Sequence, residues 1–467
     1  MGCLSLASRA PRTLSISNGD INKVCAEDRA VHDWYRFVLS FPPHLVRTYL
    51  TRFGIDKSKR VLDPFCGTGT VLVECQKLGI PSIGVEANAL AYFASTVKVD
   101  WSPDPTALVA HARAIARAAR THLMAEGVPD DPLFEQVAPA ESVSLRTLPP
   151  EQEALLLANS ISPRPLHKTL VLLDHLEQLR DERFDRHERL ALAKAAVFSF
   201  SNLQFGPEVG VGPAKDDAPV VALWLAAVEA IAADLRGVQD LPSATAKVYA
   251  ADSRQIAHVL APQSVDAVIT SPPYPNEKDY TRTTRLESVL LGFIRTKADL
   301  RALKQGLVRS NTRGVYLRDD DDQWVEGRTE IQRIAEAIEA RRIELGKTSG
   351  FERMYARVTK LYFGGMARHL AELRQVLRPG AQLAYVVGDQ ASYLRVMIRT
   401  GQLLADIAKS LGYELVGIDL FRTRLATATR EQLREEVVLL RWPGTRRISI
   451  EGSDGATSDG CLVDFPS

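Results

Sequence analysis

Two short motifs in the sequence combine residue types suited to binding a small cofactor and a planar ring. The first is the glycine-bearing turn at residues 63–70, Asp-Pro-Phe-Cys-Gly-Thr-Gly-Thr. Because Gly67 and Gly69 carry no Cβ, a ligand can lie against the main chain of this turn. The turn leads into an apolar helix, whose first N–H groups add hydrogen-bond donors. We predict a ligand site here, with a purely structural strand-to-helix turn as the alternative.

The spacing within this turn excludes two common nucleotide-binding loops. The third glycine of the dinucleotide fingerprint is missing, and so is the Lys-Ser/Thr pair of a phosphate-binding loop. Glu86 ends the next apolar segment, seventeen residues after Gly69. An acid at that place can accept hydrogen bonds from the two hydroxyls of a ribose. The turn and Glu86 therefore predict a site for a ligand that contains a ribose, bound differently from the ligands of those two loops.

The second motif is Thr-Ser-Pro-Pro-Tyr at residues 270–274, which follows an apolar segment. Pro272 and Pro273 have no N–H, so the turn presents carbonyl acceptors without competing donors. Ser271 adds a hydroxyl group, and Tyr274 adds a flat face. This combination suits a planar ring with an exocyclic amine, because the amine can donate to the acceptors while the ring stacks on tyrosine. A proline turn beside a core tyrosine is the structural alternative, and the position after a predicted strand disfavours it.

The segments around both motifs alternate between strand and helix patterns. Apolar runs at 60–63 and 82–86 flank an amphipathic segment at 71–79, which predicts a βαβ unit with parallel strands. The strand pattern continues at 246–252, 265–274 (which includes the second motif), 381–387, 414–420 and 436–442, and helices are predicted near 326–346, 352–377 and 394–411. We expect an α/β fold with a Rossmann-like sheet, mostly parallel, helices on both faces and a large helical insertion.

Shifts in this pattern divide the chain into five predicted parts. They are a flexible N-terminal segment at 1–31, a first motif-bearing part at 32–100, a helical insertion at 101–245, a second motif-bearing part at 246–442 and a flexible tail at 443–467. The insertion is expected to serve sequence recognition or to cover the ligand cleft.

The charge of the chain is nearly balanced, with a formal net charge of +1, which excludes a uniformly basic nucleic-acid coat but not a local basic face. Residues 275–318 contain ten basic and four acidic residues directly after the second motif. Clustered basic residues favour phosphate binding, with a solvated face as the alternative. The four consecutive acids at 319–322 are expected to form a solvated loop rather than a metal site.

Cysteine and histidine usage argues against other classes of protein. The five cysteines show no CxxC spacing, and the nine histidines show no paired metal-ligand spacing. A disulfide framework and a metal centre are therefore not expected, and a reducing cytoplasm fits best. No stretch predicts a membrane span or a secretory signal.

Together, DPFCGTGT at 63–70 and TSPPY at 270–274 resemble the motifs of the amino-directed, S-adenosylmethionine-dependent DNA methyltransferases. These enzymes methylate N4 of cytosine or N6 of adenine. The resemblance extends over residues 32–100 and 246–442 and leaves the helical insertion unmatched. It implies that the methyltransferase domain binds S-adenosylmethionine. The implied cofactor-binding residues are Phe41, Pro42, Asp63, Pro64, Phe65, Gly67, Thr68, Gly69, Thr70, Glu86 and Asp252. The implied catalytic residues are Ser271, Pro272, Pro273 and Tyr274, and the basic residues expected on DNA are Lys278, Arg282, Arg285, Arg309 and Arg313.

The implied reaction is direct methyl transfer to the exocyclic amine of a base extruded from double-stranded DNA. Serine at position 271 resembles the family members that methylate N4 of cytosine. The order of the two motifs along the chain, with the glycine motif first, resembles an order that is also found in members that methylate adenine. We expect N4 of cytosine, with N6 of adenine as the alternative. An RNA or small-molecule methyltransferase and a non-catalytic nucleic-acid-binding protein are further alternatives, but no aromatic RNA-binding motif is present and both motifs are intact. The resemblance leaves open the recognition sequence, the oligomeric state and a restriction or defence-system partner.

Overall fold

The computed structural model describes residues 25–37, 41–130, 143–206, 208–242, 244–276, 278–425 and 432–444. Residues 445–467 of the predicted tail at 443–467, and the N-terminal residues 1–24, lie outside the described residues. Residues 25–31 are described, and Asp28 and Val31 within them are buried. The packed part of the chain therefore begins before residue 32, earlier than expected.

The strands form one large sheet and one small hairpin. In chain order they are β1 (Val61–Asp63), β2 (Ser82–Glu86), β3 (Leu203–Phe205), β4 (Val209–Val211), β5 (Ala246–Ala250), β6 (Val265–Thr270), β7 (Leu377–Gly388), β8 (Glu414–Leu425) and β9 (Gln432–Arg441). The large sheet has seven strands in the order β5-β2-β1-β6-β7-β9-β8. Strand β9 runs antiparallel to both of its neighbours, and the other pairs are parallel. The mostly parallel, Rossmann-like sheet is thereby confirmed.

The α-helices connect these strands and build the region between α3 and β5. They are α1 (Pro43–Arg52), α2 (Thr70–Lys77), α3 (Ala89–Lys98), α4 (Pro105–Ala125), α5 (Pro150–Glu153), α6 (Pro163–Gln178), α7 (Asp185–Ala195), α8 (Val220–Val238), α9 (Tyr280–Thr283), α10 (Arg285–Leu290), α11 (Lys297–Gln305), α12 (Thr329–Glu344), α13 (Tyr355–Val376) and α14 (Thr400–Ser410). A π-helical turn, Ala196–Phe200, continues α7. Short 3₁₀ helices span Ala26–Asp28, His32–Trp34, Ser253–His258, Thr312–Gly314, Asp321–Val325 and Glu352–Met354.

Alternate residues along the central strands pack against helices on opposite faces of the sheet. In β7, Leu383 and Tyr385 belong to an apolar core that includes residues of α13 and α14. Ala384 and Val386 instead contact a core that includes residues of α1 and α2. Successive side chains of a strand point to opposite faces, so burial on both sides explains the nearly continuous apolar sequence of β7.

The region between α3 and β5 is mostly helical and shares its core with the rest of the fold. Ile115 of α4 and Trp224 of α8 lie in the same apolar cluster as Trp34, Leu90 of α3 and Val289 of α10. This region also contains the antiparallel hairpin β3–β4, which the sequence patterns did not predict. The helices of the insertion are therefore packed directly onto the motif-bearing part.

Two features of the described residues bear on other classes of protein. No helix among them is long and apolar enough to cross a membrane. The same residues contain no group of three or more His, Cys, Asp or Glu side chains that could hold a metal ion.

Candidate active site

A cavity of about 260 Å³ lies at the carboxyl ends of β1, β2 and β6 and contains residues of both motifs. Strand β1 pairs with β6 through Leu62 and Val268, so the turns that follow these strands meet. The chain leaves β1 towards β2 on one side, while β6 lies on the other. Ligands of open α/β sheets bind at such a reversal of strand order, outside the carboxyl ends.

The glycine turn and Glu86 are joined by hydrogen bonds at one end of the cavity. Gly67 donates its backbone N–H to Oε2 of Glu86 over 2.8 Å, and Asn88 donates its backbone N–H to Oε1 over 2.7 Å. Burial raises the pKa of the Glu86 carboxyl above its usual range. Gly67 has φ +51°, and a Cβ at this position would lie 3.9 Å from the ring of Phe37, which also lines the cavity. The main chain at Gly67 is therefore open to a ligand.

Two other residues of the turn support the site from behind rather than lining it. Gly69 has φ +83°, and a Cβ there would lie 3.1 Å from the Cβ of Ser95. The expected contact of Gly69 with a ligand is thus replaced by a close contact between the start of α2 and α3. Asp63 accepts hydrogen bonds from Thr270 Oγ1 at 2.6 Å and from the N–H of Phe65 at 3.1 Å. Burial raises the pKa of Asp63 to about 7. Its carboxyl group links the ends of β1 and β6.

Asp252 also lies outside the cavity lining, which its neighbours Ala251 and Ser253 provide. The Asp252 carboxylate accepts the backbone N–H of Arg254 at 2.9 Å and Nη2 of the same residue at 2.6 Å. A ligand amine could reach this carboxylate only in competition with Arg254. The remaining expected cofactor residues divide similarly: Phe41, Pro64, Phe65, Thr68 and Thr70 line the cavity, and Pro42 does not.

The four expected catalytic residues all line the cavity. Ser271 donates its hydroxyl hydrogen to the carbonyl oxygen of Val386 over 3.2 Å, which leaves the serine oxygen as an acceptor. The ring of Tyr274 packs on Gly388, where a Cβ would come within 3.0 Å of Cε2. Burial raises the pKa of the Tyr274 hydroxyl well above its usual range, so the side chain is neutral at physiological pH.

The five basic residues expected to contact DNA separate into two groups. Arg309 is buried and forms a two-bond ion pair with Asp319, with both distances 2.8 Å. Arg285 donates to the carbonyl oxygens of Thr281 and Leu155. These two guanidinium groups hold internal structure, and Arg309 also lines the main cavity, so their contact with DNA stays a prediction. The other three residues, Lys278, Arg282 and Arg313, line a smaller cavity that adjoins the main one.

The acidic run at 319–322 is not a solvated loop along its whole length. Asp321 is buried and accepts hydrogen bonds from Arg254 and Arg368. Asp319 holds Arg309, as described above. A contiguous run of charges gave no sign of which members face inward.

Several residues that line the cavity were missed by the sequence patterns. They are Phe37, Asn88, Tyr280, Phe421, Arg422 and Glu435. Asn88 caps α3 by accepting the N–H groups of Leu90 and Ala91, and its position just after Glu86 could have indicated it. Arg422 and Glu435 lie on β8 and β9 and form an ion pair, with Nη2 3.0 Å from Oε1. These two residues belong to no local motif, because strand pairing alone brings them to the site.

Comparisons with known proteins agree with the motifs. A family model described as DNA methylase, of the N6/N4 methyltransferase type, matches residues 19–95. The Type II methyltransferase M.BsoBI of Geobacillus stearothermophilus is 26% identical over 89% of this chain and 85% of its own. The Type II methyltransferase M.AvaI of Nostoc sp. is 24% identical over 92% of this chain and 90% of its own. The solved structure of a DNA modification methylase from Thermus thermophilus covers 43% of this chain and 54% of its own, at 15% identity and a TM-score of 0.20. A TM-score this low adds nothing to the fold assignment, which depends on the strand order.

Proposed function

Because the chain is a DNA methyltransferase of the N4/N6 type, we propose that it transfers a methyl group from S-adenosylmethionine to N4 of a cytosine extruded from double-stranded DNA. The observation that carries this proposal is the meeting of the two motifs in one cavity, at the ends of the adjacent strands β1 and β6. One motif suits a nucleoside cofactor and the other suits an amine-bearing ring. The names of the two full-length relatives support a role as the modification enzyme of a restriction system.

The residues at the glycine-turn end of the cavity fit S-adenosylmethionine. The hydroxyl oxygen of Thr68 is buried and has no hydrogen-bond partner within the described part of the chain, and the residue lines the cavity. Buried polar atoms normally have partners, so an unpaired hydroxyl here favours a polar ligand. Each Glu86 oxygen accepts one backbone N–H and has capacity for a ribose hydroxyl. When bound, the cofactor supplies an electrophilic methyl group.

The residues at the other end of the cavity hold the base. The target amine donates to the Ser271 oxygen and to the Pro272 carbonyl oxygen. Ser271 is oriented for this role because its own hydrogen is directed to the carbonyl of Val386. Both contacts favour a pyramidal amine with an available lone pair, while the Tyr274 ring stacks on the base. Holding the amine in line with the methyl group accounts for much of the rate, since correct positioning can supply several kcal/mol of the barrier, on the order of 7–11.

The basic group made of Lys278, Arg282 and Arg313 lies in the smaller cavity that adjoins the main one, and it gives DNA phosphates a place to bind. Extrusion of the base costs a few kcal/mol of stacking, which contacts of this kind offset.

A product assay tests the proposal. Purified protein is incubated with S-adenosylmethionine carrying a labelled methyl group and with genomic DNA that lacks methylation. The nucleosides are then separated by liquid chromatography and mass spectrometry. We expect N4-methyldeoxycytidine. N6-methyldeoxyadenosine would refute the base assignment and retain the enzyme class, and transfer of label to RNA instead of DNA would refute both.

A further inference from the structure

An ion pair on the last two strands forms part of the cavity wall, and no motif of the sequence accounts for it. Arg422 lies on β8 and Glu435 on β9, and both line the cavity together with Ser271 and Tyr274. Their side chains are 26% and 13% exposed, so most of the pair is shielded from solvent. Its hydrogen bonds run from Nε and Nη2 of the arginine to the two carboxylate oxygens.

Strand register fixes the position of this pair relative to the catalytic motif. Gly388 of β7 pairs with Glu435 of β9, and Glu435 pairs with Arg422 of β8. A Cβ at Gly388 would lie 3.0 Å from Cε2 of Tyr274 and 3.3 Å from Cγ of Glu435. The tyrosine ring and the glutamate stem therefore both lie next to the space that a side chain at Gly388 would fill, and both residues line the cavity.

Ser271 lies along the same wall. Its hydroxyl group donates to Val386, which precedes Gly388 by two residues on β7. Ser271, Arg422 and Glu435 therefore line the same cavity, with Tyr274 among them.

The arginine retains donors for a ligand. Glu435 occupies Nε and one N–H of Nη2, and within the described part of the chain Nη1 has no hydrogen-bond acceptor. A guanidinium group is planar and donates two parallel hydrogen bonds to adjacent acceptors. Beyond its amine, cytosine presents the adjacent acceptors N3 and O2, whereas adenine presents N1 next to a C–H group.

From this geometry we infer that Arg422 is a specificity-determining residue that donates to N3 and O2 of the extruded cytosine, and that Glu435 is a positioning residue that holds the guanidinium plane. This inference rests on the proposed function and adds to it the means by which the base is chosen. Adenine would leave one donor of the shielded arginine without an acceptor. A site built to hydrogen-bond a group rejects a ligand that lacks it.

The test compares substrates that differ only at the target position of a duplex, where one carries cytosine and the other adenine. For Arg422→Ala, we expect kcat/KM on cytosine to fall by about ten- to a hundredfold, the scale of hydrogen bonds to a charged group. The preference for cytosine over adenine should fall with it, and cofactor affinity in calorimetry should stay unchanged. Glu435→Gln should show the same change to a smaller degree, and Arg422→Lys should recover part of the preference.

Arg434→Ala is a matched control. Arg434 precedes Glu435 on β9, points to the opposite face and pairs with Asp389 and Glu436. Its loss removes a cross-strand ion pair without touching the cavity and should leave the base preference intact. If Arg422→Ala keeps the wild-type preference, or if Arg434→Ala loses it equally, the inference is overturned and the cytosine assignment stands. If the wild-type protein methylates adenine, both the cytosine assignment and the proposed contact of Arg422 with N3 and O2 of cytosine are overturned.

Discussion

Replacing the two turn glycines one at a time should separate cofactor binding from folding. Gly67 has φ +51°, a conformation that costs a residue with a Cβ about 1–2 kcal/mol. The nearest atoms to a new Cβ are 3.9 Å away in the ring of Phe37, so no collision adds to this cost. The Cβ would nevertheless extend towards the cavity. For Gly67→Ala we expect S-adenosylmethionine to bind at least about tenfold more weakly, a loss of about 1.4 kcal/mol.

Gly69→Ala should act mainly on stability. The backbone cost is similar, since φ is +83°. The new Cβ would in addition lie 3.1 Å from Cβ and 3.3 Å from Cα of Ser95, and the main chain of α3 cannot move aside without disturbing the core. Overpacking of this kind costs about 1–3 kcal/mol, so the total loss should be about 2–5 kcal/mol.

Urea unfolding and calorimetric titration of both variants measure the two effects side by side. The free energy of unfolding should fall further for Gly69→Ala, while the affinity for S-adenosylmethionine should fall further for Gly67→Ala. Wild-type affinity in Gly67→Ala, together with lost affinity in a fully stable Gly69→Ala, would refute the assignment of the two roles.

Three further perturbations test other parts of the site. Ser271→Ala should lower kcat by about ten- to a hundredfold at unchanged cofactor affinity, and wild-type turnover in this variant would contradict the acceptor role of the serine. Tyr274→Ala should lose most activity, whereas Tyr274→Phe should keep most of it, because the flat ring and not the hydroxyl group holds the base. Steady-state kinetics combined with calorimetry checks both predictions. Charge reversal at Arg282 and Arg313 should weaken DNA binding and lower the salt slope by about 0.9 per lost phosphate contact, so an unchanged slope in a binding titration would place the DNA surface elsewhere. Asp63 has its pKa raised to about 7 by burial, so it contributes stability at low pH that is lost as the pH rises from its unfolded value near 4 to 7. Burial also raises the pKa of Glu287 and Glu86, so unfolding experiments should show a smaller loss in Asp63→Asn than in the wild-type protein, and parallel pH profiles would contradict the role of Asp63.

The sheet could be predicted from the sequence because its signals are local. Apolar runs that end in Asp63, Glu86 or Thr270 each predict a strand followed by a turn. The apolar residues of α12, α13 and α14 recur with the 3.6-residue period of a helix. The β3–β4 hairpin has strands of only three residues each, too short to show an alternating pattern. Its pairing depends on contacts that no local window contains.

The site was predictable only where residues cluster in the chain. The glycine turn and the Ser-Pro-Pro-Tyr turn each carry their chemistry within a few positions. The direction of a charged side chain is a tertiary property: Arg309 and Arg313 are four residues apart, yet one is buried against Asp319 and the other is exposed. The local composition predicted DNA contact for both arginines alike. The pairing of Arg422 with Glu435 likewise depends on the register of β8 against β9.

The insertion of β9 between β7 and β8 also sets an order of events during synthesis. A growing chain emerges with its N-terminal end first, so β8 leaves the ribosome before the strand that joins it to the sheet. Until β9 emerges, β8 has no neighbour to pair with, and the wall containing Glu435 does not exist. A nascent chain that stops short of residue 432 would already hold both motifs in a partly formed sheet. It would lack the strand that brings Glu435 into the cavity wall, so we expect modification of DNA to begin only after this strand is in place.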